Sequence, residues 1–164
     1  MTVLIAYCSR YGTTEARARS IGAAVRAEVS IVDLRRGRAP DPERYDVVLI
    51  GGSIYGGTIQ SRVTAFCESN EEALRNRPVG VFVCCLSRDA HARAQMDDAF
   101  PGWLLGAAFC RALPGGALYP GNLTLLDRIL VRAVPHPPGV VDMVDAREIA
   151  AAAAAVNAFL PRAT

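Results

Sequence analysis

Residues Ser9-Arg10-Tyr11-Gly12-Thr13-Thr14 place three hydroxyls, a guanidinium and a glycine directly after the apolar run Val3 to Tyr7. Hydroxyls rotate to suit an anion, and backbone amides donate to it. A helical pattern opens at about Glu15, so the segment reads as a strand, a loop and a helix N-terminus. Such a junction carries unpaired N–H groups and the positive end of a helix dipole, which together favour a phosphate. The kind of phosphate follows from two absences. Neither G-x-x-x-x-G-K-[ST] nor G-x-G-x-x-G occurs, and all 18 basic residues are arginine, so the chain has no P-loop lysine. Hydroxyls and amides alone suit the phosphate monoester of a bound cofactor; the structural alternative is a Ser/Thr-capped turn.

A second cluster follows Val47-Val48-Leu49-Ile50, a continuous apolar run of the kind buried on both faces of a parallel sheet. It reads Gly51-Gly52-Ser53-Ile54-Tyr55-Gly56-Gly57-Thr58. Its glycines allow close backbone approach to a flat ligand, and the Tyr55 ring can stack on one. A tight, flexible strand-to-helix turn is the alternative. A third candidate, Leu86-Ser87-Arg88, ends the apolar run Pro78 to Cys85.

The elements that must position these clusters alternate in type. After the first loop, Ala18, Ile21, Gly22, Val25 and Val29 form a core-facing stripe with Arg17, Arg19, Arg26 and Glu28 mostly outside it. Val29 to Leu34 alternates as a second strand and ends in Arg35, Arg36 and Arg38, a solvated turn. Ser61 is the expected cap of a helix that turns Val63, Phe66, Cys67 and Leu74 inward. A helical region runs from about His91 to an apolar end at Trp103, Leu104, Leu105 and Phe109. Arg111 to Tyr119 is the fifth strand, interrupted by Pro114-Gly115-Gly116, and Asp145-Ala146-Arg147-Glu148 opens the last helix like a capping box. Five alternations predict an α/β, doubly wound five-stranded parallel sheet in the order 2-1-3-4-5, with an extra segment after strand 5. In that order the crevice lies between strands 1 and 3, the two strands that the first two clusters follow.

At 164 residues, with no repeat or linker, residues 1–164 read as one domain that buries about 70% of its unfolded surface. No run has signal-peptide or transmembrane character, so a soluble, cytoplasmic protein is expected. Five cysteines without a C-x-x-C, and two histidines, predict neither a disulfide framework nor a metal site. Cys8 is singled out, since a helix N-terminus lowers a thiol's pKa. Cys84 and Cys85 are neighbours in a strand and should face opposite ways. A net charge of +2 is too small to imply nucleic acid.

With these residues placed, the chain resembles FMN proteins of the flavodoxin fold over nearly its whole length. Within that group it is similar to the quinone-dependent protoporphyrinogen IX dehydrogenases of bacteria. The resemblance is carried by Ser9 to Thr14, by Gly51 to Gly57 with Ser61, by Gly116-Ala117-Leu118-Tyr119-Pro120, and by the segment with Leu126, Asp127, Arg128, Ile129 and Val131 before the last helix. It departs from the family at Tyr11, where an acidic residue is expected, and at Tyr55, where a basic one is.

The resemblance implies FMN, with its phosphate held by Ser9, Arg10, Tyr11, Gly12, Thr13 and Thr14. It implies that Ser53, Ile54, Tyr55, Gly56 and Gly57 run beside the flavin, and that Leu86, Ser87 and Arg88 border its pyrimidine side. In such enzymes the flavin does the redox chemistry, so no catalytic side chain is named. The implied partners are a porphyrinogen-like substrate and a quinone, with peripheral membrane contact through 120–138 at the inner face of the cell membrane. The alternative is a non-catalytic electron carrier. Carriers usually show an acidic rim, whereas this chain has Arg10 and Arg88 there.

Overall fold

The computed structural model describes residues 1–86, 89–118 and 141–160. Strand β1 (Thr2–Tyr7) is apolar on both faces because it lies inside the sheet, and Val3, Leu4, Ile5 and Ala6 are 0% exposed. It pairs in parallel with β2 (Glu28–Asp33) on one side and β3 (Val47–Tyr55) on the other. Strand β3 pairs with β5 (Val79–Cys84) and β5 with β6 (Arg111–Ala112), again in parallel. The path β2-β1-β3-β5-β6 is the expected doubly wound arrangement, with one addition. Strand β4 (Thr58–Ile59) folds back antiparallel onto the end of β3, so the sheet has six strands among the described residues.

Strand alternation divides the core between the two faces of the sheet. Leu4, Ala6, Val48, Ile50, Val81 and Val83 face α2 (Ser61–Ser69), α3 (Glu71–Arg75), α4 (Asp89–Ala99) and α5 (Gly102–Ala107). Val3, Ile5, Val47, Leu49 and Phe82 face α1 (Thr13–Ala24) and α6 (Ala146–Asn157). Each fully buried aliphatic side chain contributes about 1.5–3 kcal/mol. Cys84 joins the second core and Cys85 the first, as their adjacency requires.

Several boundaries differ from the sequence expectation. Gln60, not Ser61, is the N-cap of α2, and no side chain caps that helix. The single helix expected there breaks at Asn70, whose side-chain amide donates to the Phe66 carbonyl at 2.8 Å. Val29 belongs to β2 rather than to the α1 stripe. Pro101 separates α4 from α5, which ends before Phe109; that ring packs instead on Phe159, with centroids 4.8 Å apart.

The fifth strand is the largest correction. Of its described residues, only Arg111 and Ala112 join the main sheet, because Pro114 has no N–H to donate and Gly115 takes φ +84°. Beyond that turn, β7 (Ala117–Leu118) pairs antiparallel with β8 (Val141–Asp142) in a separate ladder. The capping box of α6 is also incomplete. Asp145 accepts from the amides of Arg147 and Glu148, but the Glu148 carboxylate reaches across to the Leu113 amide at 2.9 Å.

Candidate functional site

The register Ile5↔Leu49, Ala6↔Ile50, Tyr7↔Gly51 sets the end of β1 against the middle of β3, so the first loop leaves the sheet beside the last residues of β3, which runs on to Tyr55. The Cys8 amide donates to the Gly51 carbonyl at 3.1 Å, which extends that pairing into the first loop. Ser9 is buried, and its Oγ accepts from the Gly12 amide at 3.0 Å, which closes the loop and leaves its own O–H to donate. Gly12 is the N-cap of α1 with φ +88°. A Cβ there would meet nothing within 4 Å, so the glycine serves backbone conformation and not space.

The first helical bond of α1 runs from the Ala16 amide to the Gly12 carbonyl at 2.9 Å. The amides of Thr13, Thr14 and Glu15 precede it and have no acceptor among the described backbone bonds. Thr14 is fully buried, and its Oγ1 has no hydrogen-bond partner; the polar group beside it is the Cys84 thiol.

The second cluster is a hairpin. Tyr55 and Thr58 are paired, and Gly56 (φ +56°) and Gly57 (φ +82°) form the two-residue turn between them. Two positive φ angles are the signature of the turn type that suits the twist of a hairpin. Gln60 fastens its base, accepting from the Ser53 amide at 2.9 Å and donating to Ser53 Oγ at 2.5 Å. Gly51 and Gly52, expected to be loop, lie within β3 and serve packing. A Cβ on Gly51 would sit 2.0 Å from Phe82 Cζ, and one on Gly52 2.7 Å from Ile59 Cδ1.

The two loops meet at their aromatic residues. The Tyr11 and Tyr55 rings have centroids 5.8 Å apart, and the Arg10 guanidinium carbon lies 5.4 Å from both. The acidic residue nearest in sequence, Glu15, is bound by Arg19 at 2.9 and 3.1 Å. A guanidinium and two aromatic rings thus meet where the loops approach each other. In the third cluster Leu86 is half-buried, while Ser87 and Arg88 lie outside the described residues, as does 120–138.

Two residues depart from their expected roles. Arg17, expected on the outer face of α1, is buried at 6% exposure; its Nε donates to the Gly115 carbonyl at 3.3 Å and its Nη2 pairs with Asp142. Its spacing from Thr14, Ala18 and Ile21 puts it on the inner face, a signal the sequence did contain. The hairpin signal was present too, as two glycines between β-prone residues. Cys8 is not activated: burial, with Asp33 nearby, raises its thiol above the usual range.

A family model for the flavodoxin domain matches residues 4–139. The chain belongs to the flavodoxin domain family. Among solved structures, this flavodoxin-domain chain is similar to Megasphaera elsdenii flavodoxin, with 26% identity over 68% of this chain and 84% of that one and a TM-score of 0.52. It shares its fold with flavodoxin 1 from Bacillus cereus (14% identity, 98% and 100% covered, TM-score 0.54). The same holds for a WrbA-like flavodoxin from Agrobacterium tumefaciens (13% identity, 96% of each covered, TM-score 0.56). No curated protein sequence matches the chain.

The chain is thus a flavodoxin-like flavoprotein whose cofactor is FMN, and its residues fit that group. Three unengaged amides at the start of α1, beside a glycine N-cap with open space above it, form an anion cradle. No helix among the described residues is long and apolar enough to cross a membrane.

Proposed function

We propose that this protein is an FMN-dependent oxidoreductase that takes electrons from a porphyrinogen-like reduced molecule and passes them to a quinone. The observation that carries this reading is the Arg10–Tyr11–Tyr55 cluster where the two cofactor loops meet. A cation between aromatic rings suits a planar organic anion, whereas docking to a basic protein partner calls for carboxylates.

When bound, FMN supplies the one- and two-electron chemistry. The chain's own residues bind and orient. The amides of Thr13 to Glu15 and the hydroxyls of Ser9, Thr13 and Thr14 take the phosphate; Ser53 to Gly57 flank the flavin on the hairpin, and Leu86, Ser87 and Arg88 border its pyrimidine side. A quinone is a membrane lipid, and the stripe Leu125, Leu126, Ile129, Leu130 and Val134 within 120–138 is the candidate contact with the inner membrane face.

The test is a coupled assay with the FMN-loaded protein, protoporphyrinogen IX and a menaquinone analogue. Porphyrin fluorescence should rise well above both autoxidation and an equal concentration of free FMN. No acceleration, with FMN retained, would make the protein an electron carrier of flavodoxin type instead.

A further inference from the structure

A groove of about 530 Å³ opens at the C-terminal end of β5. Its walls are Cys85, Arg93 of α4, Leu113 and Gly115 after β6, and the chain from Met143 into the start of α6 as far as Glu148. Cys85 directly precedes Leu86, so the groove abuts the third cofactor loop. The wall is built close: a Cβ on Gly116 would lie 2.6 Å from the Cys85 carbonyl, so only glycine lets this chain pass over the strand end.

The groove lining carries two guanidiniums, Arg93 and Arg147, and two carboxylates, Asp145 and Glu148, so what it can bind turns on which of these already have partners. Asp145 Oδ1 holds the amides of Arg147 and Glu148 at 3.0 and 3.2 Å, and Glu148 Oε2 holds the Leu113 amide at 2.9 Å. Both carboxylates keep their charge, with one oxygen of each turned to backbone amides, and the helix N-terminus is capped from within. Arg93 and Arg147 are exposed, and no carboxylate among the described residues pairs with either guanidinium. The groove thus offers two guanidinium forks from two different helices, with Ala92, Leu113, Met143 and Val144 supplying apolar surface. Guanidinium groups match carboxylates bidentately, and the apolar lining selects a hydrocarbon body over an inorganic ion.

We infer that this groove is the anion subsite of the organic substrate, taking its carboxylate-bearing end, with Arg93 and Arg147 as specificity-determining residues. This rests on the oxidoreductase reading and names the substrate class for it: an apolar, carboxylate-bearing molecule whose far end reaches the flavin loops.

The experiment titrates the FMN-loaded protein with protoporphyrin IX, followed by porphyrin emission, and compares it with the uncharged dimethyl ester. Wild type, R93Q, R147Q and R93Q/R147Q are measured alongside R38Q in the β2 turn. Each lost groove arginine should weaken the diacid about tenfold, the ester should bind every protein equally weakly, and R38Q should match wild type. Equal affinity for diacid and ester, or no loss in the double variant, overturns the subsite. The quinone-coupled assay separates the two readings. Arginine-dependent binding without turnover removes the oxidase function and keeps the groove; turnover with an unchanged KM in R93Q/R147Q removes the groove and keeps the function.

Discussion

Tyr11 and Tyr55 come from different loops, yet their rings pack with centroids 5.8 Å apart and planes inclined at 53°. The pair ties the loop after β1 to the hairpin, so each loop's position depends on the other. Such aromatic pairs are worth about 0.5–1.5 kcal/mol beyond their buried area. Replacing Tyr55 by alanine should therefore weaken FMN binding about three- to tenfold through loop misplacement. Quenching of flavin fluorescence on titration measures it, and Tyr11→Ala should give a loss of the same order, with the double variant less than additive.

Gly12 and Gly51 should fail in different ways. Alanine at Gly12 has open space but a φ of +88°, a strain of about 1–2 kcal/mol that falls on the cofactor loop. FMN affinity should drop more than stability does. Alanine at Gly51 would collide with the Phe82 ring at 2.0 Å, and should cost about 3 kcal/mol in urea unfolding.

Arg17→Met removes a buried cation that holds the Gly115 carbonyl and Asp142. The expected cost is about 2 kcal/mol, below the range for fully buried pairs because the Asp142 side chain keeps 38% of its surface in solvent. Asp142→Asn in the same background should restore part of the loss, read from urea midpoints.

Asp33 gives the acid dependence. Burial pushes its carboxyl up, but hydrogen bonds from the Arg35 side chain and backbone, with the charges of Arg35 and Arg36, outweigh burial and leave it below the usual carboxylate range. A carboxylate held low in the folded chain binds fewer protons there than when unfolded, so its contribution is present above about pH 4 and lost as pH falls through the folded value. Asp33→Asn should flatten the fall in stability between about pH 5 and about pH 2.

The thiols give the alkaline dependence with the opposite sign. Burial pushes Cys67 and Cys84 up to about 12 and Cys110 to about 11. Folded thiols keep protons that unfolded ones release, so stability should decline above about pH 8.5. In the native protein at neutral pH, a disulfide-exchange reagent should leave Cys8, Cys67 and Cys84 unmodified and react slowly at half-buried Cys110; denaturant should expose all five cysteines.

What the sequence disclosed divides along physical lines. Runs such as Val47 to Ile50 and Pro78 to Cys85 are apolar at every position because both faces of their strands are covered, and that signature is local. The meeting of the first two loops followed from strand order alone. The roles of Gly51 and Gly52 did not, because a packing glycine and a loop glycine look alike until Phe82 and Ile59 are placed. Glu148 sat at the capping-box position, but its choice of the Leu113 amide depends on a neighbour far along the chain. The fifth strand failed for a local reason that was visible, Pro114, but the antiparallel ladder that replaced it needed a partner from beyond residue 140.

The ladder Ala117↔Asp142, Leu118↔Val141 sets the two ends of an intervening stretch shoulder to shoulder, with its foot riveted to α1 by Arg17. The domain therefore has a built-in splice point: a short turn can bridge Leu118 and Val141 without disturbing a single strand of the main sheet. That stretch can therefore be lengthened, exchanged or deleted as a cassette while the frame of β1, β3 and α1 stays the same.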